Sequence, residues 1–221
     1  MPEKRIMCFG DSLTWGWVPV IGGAPTTRYA ADVRWTGLLQ KNLGKGHIVI
    51  EEGLSGRTTS LNDPTDPRLD GSAYLPSALA SHLPLDLVIL MLGTNDTKAY
   101  FHRSAFETTV GISKLVGQVL SCAGGVGTVY PAPQVLIIAP PCLTPMPHAY
   151  FQSLFDGAHE KTLQFGKLYA DLADLMKVHF LDAGQVISTD GIDGIHFSED
   201  NNLLLSKAVA EKVRSIFEAV P

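Results

Sequence analysis

The run Leu85-Asp86-Leu87-Val88-Ile89-Leu90-Met91-Leu92 is apolar almost throughout. A strand with one face in water alternates apolar and polar residues. A run that stays apolar at successive positions must be covered on both faces, which is the condition of a strand inside a parallel sheet flanked by helices. Residues 6–9, 47–51, 135–139 and 179–181 have the same short apolar character. Helical patterns lie between these segments. Ser104-Ala105-Phe106-Glu107 reads as a capping box, followed by a stripe of Val110, Ile112, Leu115, Val116 and Val119 at helical spacing. Leu205, Val209, Val213 and Ile216 predict a C-terminal helix that starts near Ser198 or Asp200. The alternation predicts a three-layer α/β/α fold around a central five-stranded parallel sheet.

The chain has 221 residues, 45% of them hydrophobic and 18% charged. That composition fits a globular protein, and residues 1–221 read as a single domain. The net charge of −5 comes without any stripe of Lys and Arg, which speaks against a nucleic-acid partner. No apolar run approaches the length of a membrane span. Cys8, Cys122 and Cys142 are scattered, so neither a disulfide framework nor a zinc site is expected. The N-terminal residues lead straight into the first strand with no signal-peptide pattern, and the expected setting is cytoplasmic. Long connections at 13–34, 61–74, 123–133 and 140–149, rich in Gly, Pro and Thr, are expected to carry function or contacts.

Open α/β sheets bind ligands at the carboxyl ends of their strands. There, Gly10-Asp11-Ser12-Leu13 follows the first strand and places a serine on a turn. Serine is a weak nucleophile without an adjacent base. Among seven histidines, only His196 has an aspartate three residues earlier on a Gly-rich loop, Asp190-Gly191-Ile192-Asp193-Gly194-Ile195-His196. Such a loop can bring the Asp193 carboxylate onto Nδ1 of His196 and leave Nε2 facing Ser12, the arrangement of a Ser-His-Asp triad. The same loop fails the EF-hand pattern, because Thr189 and Gly191 would stand at ligand positions; no metal is expected there. Oxyanion donors are available in Gly53-Leu54-Ser55-Gly56, through the Gly56 backbone, and in Gly93-Thr94-Asn95-Asp96, through the Asn95 amide. Ser55 is a rival nucleophile, although its surroundings lack one glycine of the G-x-S-x-G elbow. Cys8 lies within a strand and reads as a buried small hydrophobe. Gly124-Gly125-Val126-Gly127 lacks the ending of a phosphate loop and reads as a turn.

These four blocks, in this order, resemble the SGNH (GDSL-type) hydrolase family, a flavodoxin-like fold. By that resemblance Ser12 is the nucleophile, the Ser12 amide, Gly56 and Asn95 form the oxyanion hole, and Asp193 with His196 completes the triad. No cofactor is implied. The segments 14–19, 63–68 and 97–101 resemble a narrower branch of bacterial arylesterases and acyltransferases, some of them perhydrolases. The resemblance implies short acyl ester substrates, water, alcohol or peroxide as acceptors, and a homo-oligomer. Members of that branch carry alanine where this chain has Gly56, a change that keeps the backbone donor and alters the stiffness of the loop.

Asp11, Leu13, Trp17, Ser55, Lys98, Tyr100, Phe151, Phe155 and Ile195 are candidates for the substrate pocket. The aromatic and apolar members are equally readable as core or interface residues. Trp15, Tyr29, Trp35, Tyr74 and Tyr150, if exposed, would favour self-association. Alternatives within the family are a carbohydrate O-deacetylase and a lysophospholipase or thioesterase. Outside it stand a nucleotide-binding module, disfavoured because Asp11 would repel phosphate, and a catalytically inactive scaffold.

Overall fold

A computed structural model describes residues 3–219. In chain order the elements are β1 (Lys4–Gly10), α1 (Ser12–Trp15), α2 (Trp35–Leu43), β2 (His47–Gly53), α3 (Gly71–His82), β3 (Leu87–Met91), α4 (Ala105–Leu120), β4 (Gln134–Ala139), α5 (Ala149–Leu154), α6 (Ala158–Thr162), α7 (Phe165–Met176), β5 (His179–Asp182) and α8 (Glu199–Glu218). The strands form one sheet in the order β2-β1-β3-β4-β5, with every pairing parallel. The three-layer α/β/α architecture with five parallel strands is therefore present.

Period-two alternation distributes the strands' side chains to both faces. Met7, Phe9, Val88, Leu90 and Ile137 pack with α3, α4 and α7 on one side. Ile6, Cys8, Ile89, Met91 and Ile138 pack with α2 and α8 on the other. This double burial is what the continuous apolar run at β3 required. The run itself forms a shorter strand than its apolar length, since Leu85 and Asp86 precede the pairing and Leu92 follows it. The capping box forms as read: the Ser104 hydroxyl accepts from the Glu107 N–H, and the Glu107 carboxylate accepts from the Ser104 N–H. Ser198 is the N-cap of α8, and Leu205, Val209, Val213 and Ile216 are all buried.

Two expectations need correction. Val110 is 50% exposed, because the buried stripe of α4 runs through Thr109, Ile112, Leu115, Val116 and Val119 instead. Trp35 is fully buried beneath the site and is no surface aromatic. Its indole N–H donates to the Leu13 carbonyl at 3.0 Å, and its backbone N–H donates to Asn202 Oδ1 at 3.0 Å. The N-cap residue of α2, Arg34, makes no side-chain cap bond, so Asn202 of α8 supplies that acceptor from across the chain. One tryptophan thus links the turn that carries Ser12 to the helix that follows His196.

The register of the sheet sets the position of the site. Gly10 pairs with both Gly53 and Met91, so the loops after β1, β2 and β3 leave the sheet at one level. Gly53 has no room for a side chain, since a Cβ there would lie 2.4 Å from the Trp15 backbone nitrogen. The close approach of α1 to β2 depends on that glycine.

Candidate active site

The turn after β1 is held by Asp11, whose Oδ1 accepts from the Leu13 N–H at 3.0 Å. This N-cap bond opens the single turn of α1 and presents Ser12 at its first position. On the opposite side, the loop before α8 folds back on itself: the Gly191 N–H donates to the His196 carbonyl at 2.9 Å. Asp193 Oδ1 accepts from the N–H groups of Ile195 and His196, both at 2.9 Å. Its Oδ2 lies 2.7 Å from His196 Nδ1, and His196 Nε2 lies 2.9 Å from Ser12 Oγ. All three side chains are buried. The indole of Trp17 stacks on the imidazole at 5.1 Å between centroids and 15° between planes. Together these contacts fix the ring's orientation, and they leave Nε2 able to take a proton from the serine hydroxyl.

Burial alone would push the Asp193 carboxyl up. The His196 ring, its charge and the two backbone N–H groups outweigh it and hold the group below the ordinary carboxylate value. Asp193 is therefore an anion throughout the neutral range and can stabilise an imidazolium beside it. Asp11 behaves differently. Burial pushes its carboxyl up to about 7, Asp96 adds to this, and the Leu13 N–H, Arg57 and Asn95 oppose it. Burial likewise pushes Asp96 up to about 7, against hydrogen bonds from the Thr59 hydroxyl and N–H.

Ser12, Gly56, Asn95, Asp193 and His196 line one cavity of about 180 Å³. Gly56 sits at φ +87°, a conformation glycine adopts without strain. The Asn95 amide nitrogen donates to Asp11 Oδ2 at 3.3 Å and to the Arg57 carbonyl at 3.2 Å. Asp96, next in the chain, accepts from the Thr59 N–H at 3.0 Å and ties the loops after β2 and β3 together.

Of the candidate pocket residues, Trp17, Ser55, Lys98, Phe151, Phe155 and Ile195 line this cavity. Asp11, Leu13 and Tyr100 do not. The cap bond keeps Asp11 under the turn, and Leu13 packs into the core with Trp35. The Tyr100 hydroxyl donates to Asp63 at 2.7 Å, which keeps the ring away from the opening. Lys98 pairs with the same carboxylate at 3.0 Å. Burial would raise the Asp63 carboxyl, but Thr65, Tyr100 and Lys98 bring it down to about 2. The Lys98 charge is thus neutralised at the cavity wall. Cys8 lies inside β1, where burial and the Glu51 charge push its thiol up, which removes it as a nucleophile.

Gly23, Ala24, Thr94 and Leu154 also line the cavity and were missed. Thr94 stood inside a motif already singled out, and Leu154 stood between two candidate aromatics. Nothing local marks Gly23 and Ala24: they reach the site because the ring of Phe151 fills the space a Cβ of Gly23 would occupy. Arg57 was missed as well. It is buried, and its guanidinium lies 4.1 Å from the Phe9 ring centroid.

Residues 8–202 match the model of the GDSL-like lipase/acylhydrolase family. Among solved structures, an aryl esterase of M. smegmatis is 65% identical, with a TM-score of 0.95 over 96% of this chain and 99% of that one. Est24, a carbohydrate acetylesterase of Sinorhizobium meliloti, is 61% identical, with a TM-score of 0.96 over 97% of this chain and 100% of that one. A lipase/acylhydrolase of Enterococcus faecalis, 17% identical with a TM-score of 0.68 over 96% of each chain, shares the fold. Among curated proteins none matches. The four motif blocks, the parallel sheet that gathers them and the match over most of the length lead to one assignment: the chain belongs to the GDSL-like lipase/acylhydrolase family and is a carboxylic-ester hydrolase.

Proposed function

We propose that the protein cleaves short-chain aryl and alkyl esters through an acyl-enzyme on Ser12. The observation that carries this reading is the continuous relay from Ser12 Oγ through His196 to Asp193, at 2.9 and 2.7 Å. In the acylation step Ser12 Oγ bonds to the ester carbonyl carbon while its proton passes to His196 Nε2. The N–H groups of Ser12, Gly56 and Asn95 stabilise the oxyanion. Collapse of the intermediate expels the alcohol or phenol, which leaves with the Nε2 proton. Water then attacks the acyl carbon, giving its proton to Nε2, and release of the acid returns that proton to Ser12. Asp193 stays ionised and steadies the imidazolium in both halves.

A cavity of about 180 Å³ favours an acetyl-sized acyl group over a long one, since pockets for drug-sized ligands run to roughly 300–1,000 Å³. This weighs against a lysophospholipase or a long-chain thioesterase. The apolar wall of Trp17, Phe151, Leu154, Phe155 and Ile195 would let an alcohol or peroxide compete with water for the acyl group. A second reading, deacetylation of carbohydrate esters, is supported by the likeness to Est24 at 61% identity.

No helix among the described residues is long and apolar enough to cross a membrane. The free thiols of Cys8, Cys122 and Cys142 suit a reducing, cytoplasmic setting. Exposed Ile21, Tyr74, Phe106 and Tyr150 support a homo-oligomer. A monomer mass in light scattering would refute that part.

Labelling with a fluorophosphonate tests the core of the proposal. The adduct is expected on Ser12, absent from Ser12→Ala and unchanged in Ser55→Ala, with aryl acetate hydrolysis following the same pattern. A label on Ser55 would overturn it. Product analysis in aqueous alcohol separates transfer from hydrolysis, and acid alone would exclude transfer. Comparison of an aryl acetate with an acetylated sugar separates the two substrate readings.

A further inference from the structure

The loop after β2 turns on a residue outside the relay. Arg57 is 3% exposed and faces no carboxylate within ion-pairing distance among the described residues. Its guanidinium lies against the rings of Phe9 and Tyr74, 4.1 and 5.2 Å from their centroids. Nη1 donates to two backbone carbonyls, Gly10 O at 2.9 Å and Glu52 O. These carbonyls lie at the carboxyl ends of β1 and β2, one residue before the Asp11-Ser12 turn and one before Gly53. The same residue acts at its other end: the Arg57 N–H donates to Leu54 O at 3.1 Å, and the Arg57 carbonyl accepts from Asn95 Nδ2.

A primary amide carries two hydrogens on nitrogen. In Asn95 one goes to the Arg57 carbonyl at 3.2 Å, and the other lies on a 3.3 Å contact to Asp11 Oδ2, long enough to be shared with an oxyanion in the cavity. Where that carbonyl stands therefore sets the plane of the amide, and with it the direction of the other hydrogen. The carbonyl's place depends in turn on the guanidinium clamped to the strand ends.

We propose that Arg57 is a positioning residue, one that fastens the loop after β2 to the turn carrying Ser12 and through its own carbonyl aims the Asn95 amide at the developing oxyanion. The inference rests on the proposed role of Asn95 as an oxyanion donor and adds the element that aims it. A buried charge is costly to retain unless it is well compensated. Burial pushes this guanidinium down to about 10, so it remains a cation at neutral pH. The two rings and two carbonyls offset part of that cost, Nε having no partner among the described residues, in the geometry that ties three motif blocks together. Lysine keeps the charge but, with a shorter reach and a compact ammonium, loses the flat contact with the two rings.

The test is steady-state hydrolysis of an aryl acetate by Arg57→Lys, alone and in an Asn95→Ala background. Since Arg57 aims a group used in the transition state, kcat is expected to fall about 10- to 100-fold with KM within about threefold. With the Asn95 donor gone, the same substitution is expected to lower kcat by less than about fivefold, because the two act as a unit. Wild-type kcat in Arg57→Lys, or an equal loss in both backgrounds, would overturn the inference. If Arg57→Lys does not fold, Tyr74→Leu carries the test from a partly exposed position. It removes one ring of the clamp, and kcat should fall about two- to fivefold without a change in KM; wild-type kcat would count against the clamp. Full activity in Asn95→Ala would strike the underlying oxyanion reading instead, so the two failures are distinguishable.

Discussion

Asp193 and Asp11 are both buried, one hydrogen-bonded to His196 and the other next to Ser12 in the chain, yet their carboxyls move in opposite directions. Asp193 accepts from two backbone N–H groups and an imidazole at 2.7–2.9 Å. Asp11 accepts from one N–H at 3.0 Å and one amide at 3.3 Å, with Asp96 nearby. The same side chain is thus a firm anion in one place and a group near its titration point in the other. Deeper burial and the Asp96 charge raise Asp11, while closer and more numerous donors, set by local backbone shape, lower Asp193. The Gly-rich loop curls around Asp193, whereas the turn at Asp11 offers a single cap bond.

The largest test of this contrast is Asp193→Asn. An amide would reverse the hydrogen bond to Nδ1 and favour the wrong imidazole tautomer, so kcat should fall roughly 10⁴-fold with little change in KM. A loss below tenfold would show that His196 is oriented without it. Next in size is Asn95→Ala, where removal of one oxyanion donor should cost about 10²–10³ in kcat. Asp11→Asn should cost far less, about tenfold, because asparagine also caps a helical turn and its carbonyl still accepts from Asn95. If Asp11→Asn proved as damaging as Asp193→Asn, the distinction between the two carboxyls would collapse.

The smallest effect is on stability and concerns the raised pair. A carboxyl at about 7 in the folded chain and 3.8 as its ordinary value binds more protons folded than unfolded between those limits. Stability therefore declines as pH rises through that window, and the penalty is fully present above it. The depressed Asp193 does the reverse: its contribution is present above the ordinary carboxylate range and is lost as pH falls below it. Denaturant unfolding at about pH 5 and about pH 8 should show a smaller decline in Asp96→Asn than in the wild type. An identical slope would mean that Asp96 is ionised throughout.

The parts legible in the sequence were those encoded by short-range pattern. Strands buried on both faces announce themselves by composition, and the five segments were located to within a few residues. The Ser12, Asn95 and His196 blocks were readable because each chemistry needs particular residue types beside a glycine turn. Helix α3 was hidden because it begins at Gly71 and contains Pro76, both unfavourable in helices, while the Asp70 cap and packing on α4 sustain it. Trp35 and Arg57 were misplaced or overlooked because their partners, Leu13 and Asn202 for one, Gly10 and Asn95 for the other, are distant along the chain. Tyr100 was placed in the pocket by its aromatic character, and a single hydrogen bond to Asp63 removes it.

The bridge made by Trp35 has a consequence for folding. Ser12 and His196 lie 184 positions apart, and the indole and backbone of Trp35 join their neighbourhoods only with α8 docked. A chain with α8 undocked is accordingly expected to be silent towards esters, so competence should arrive with the last long-range contacts and not with local structure.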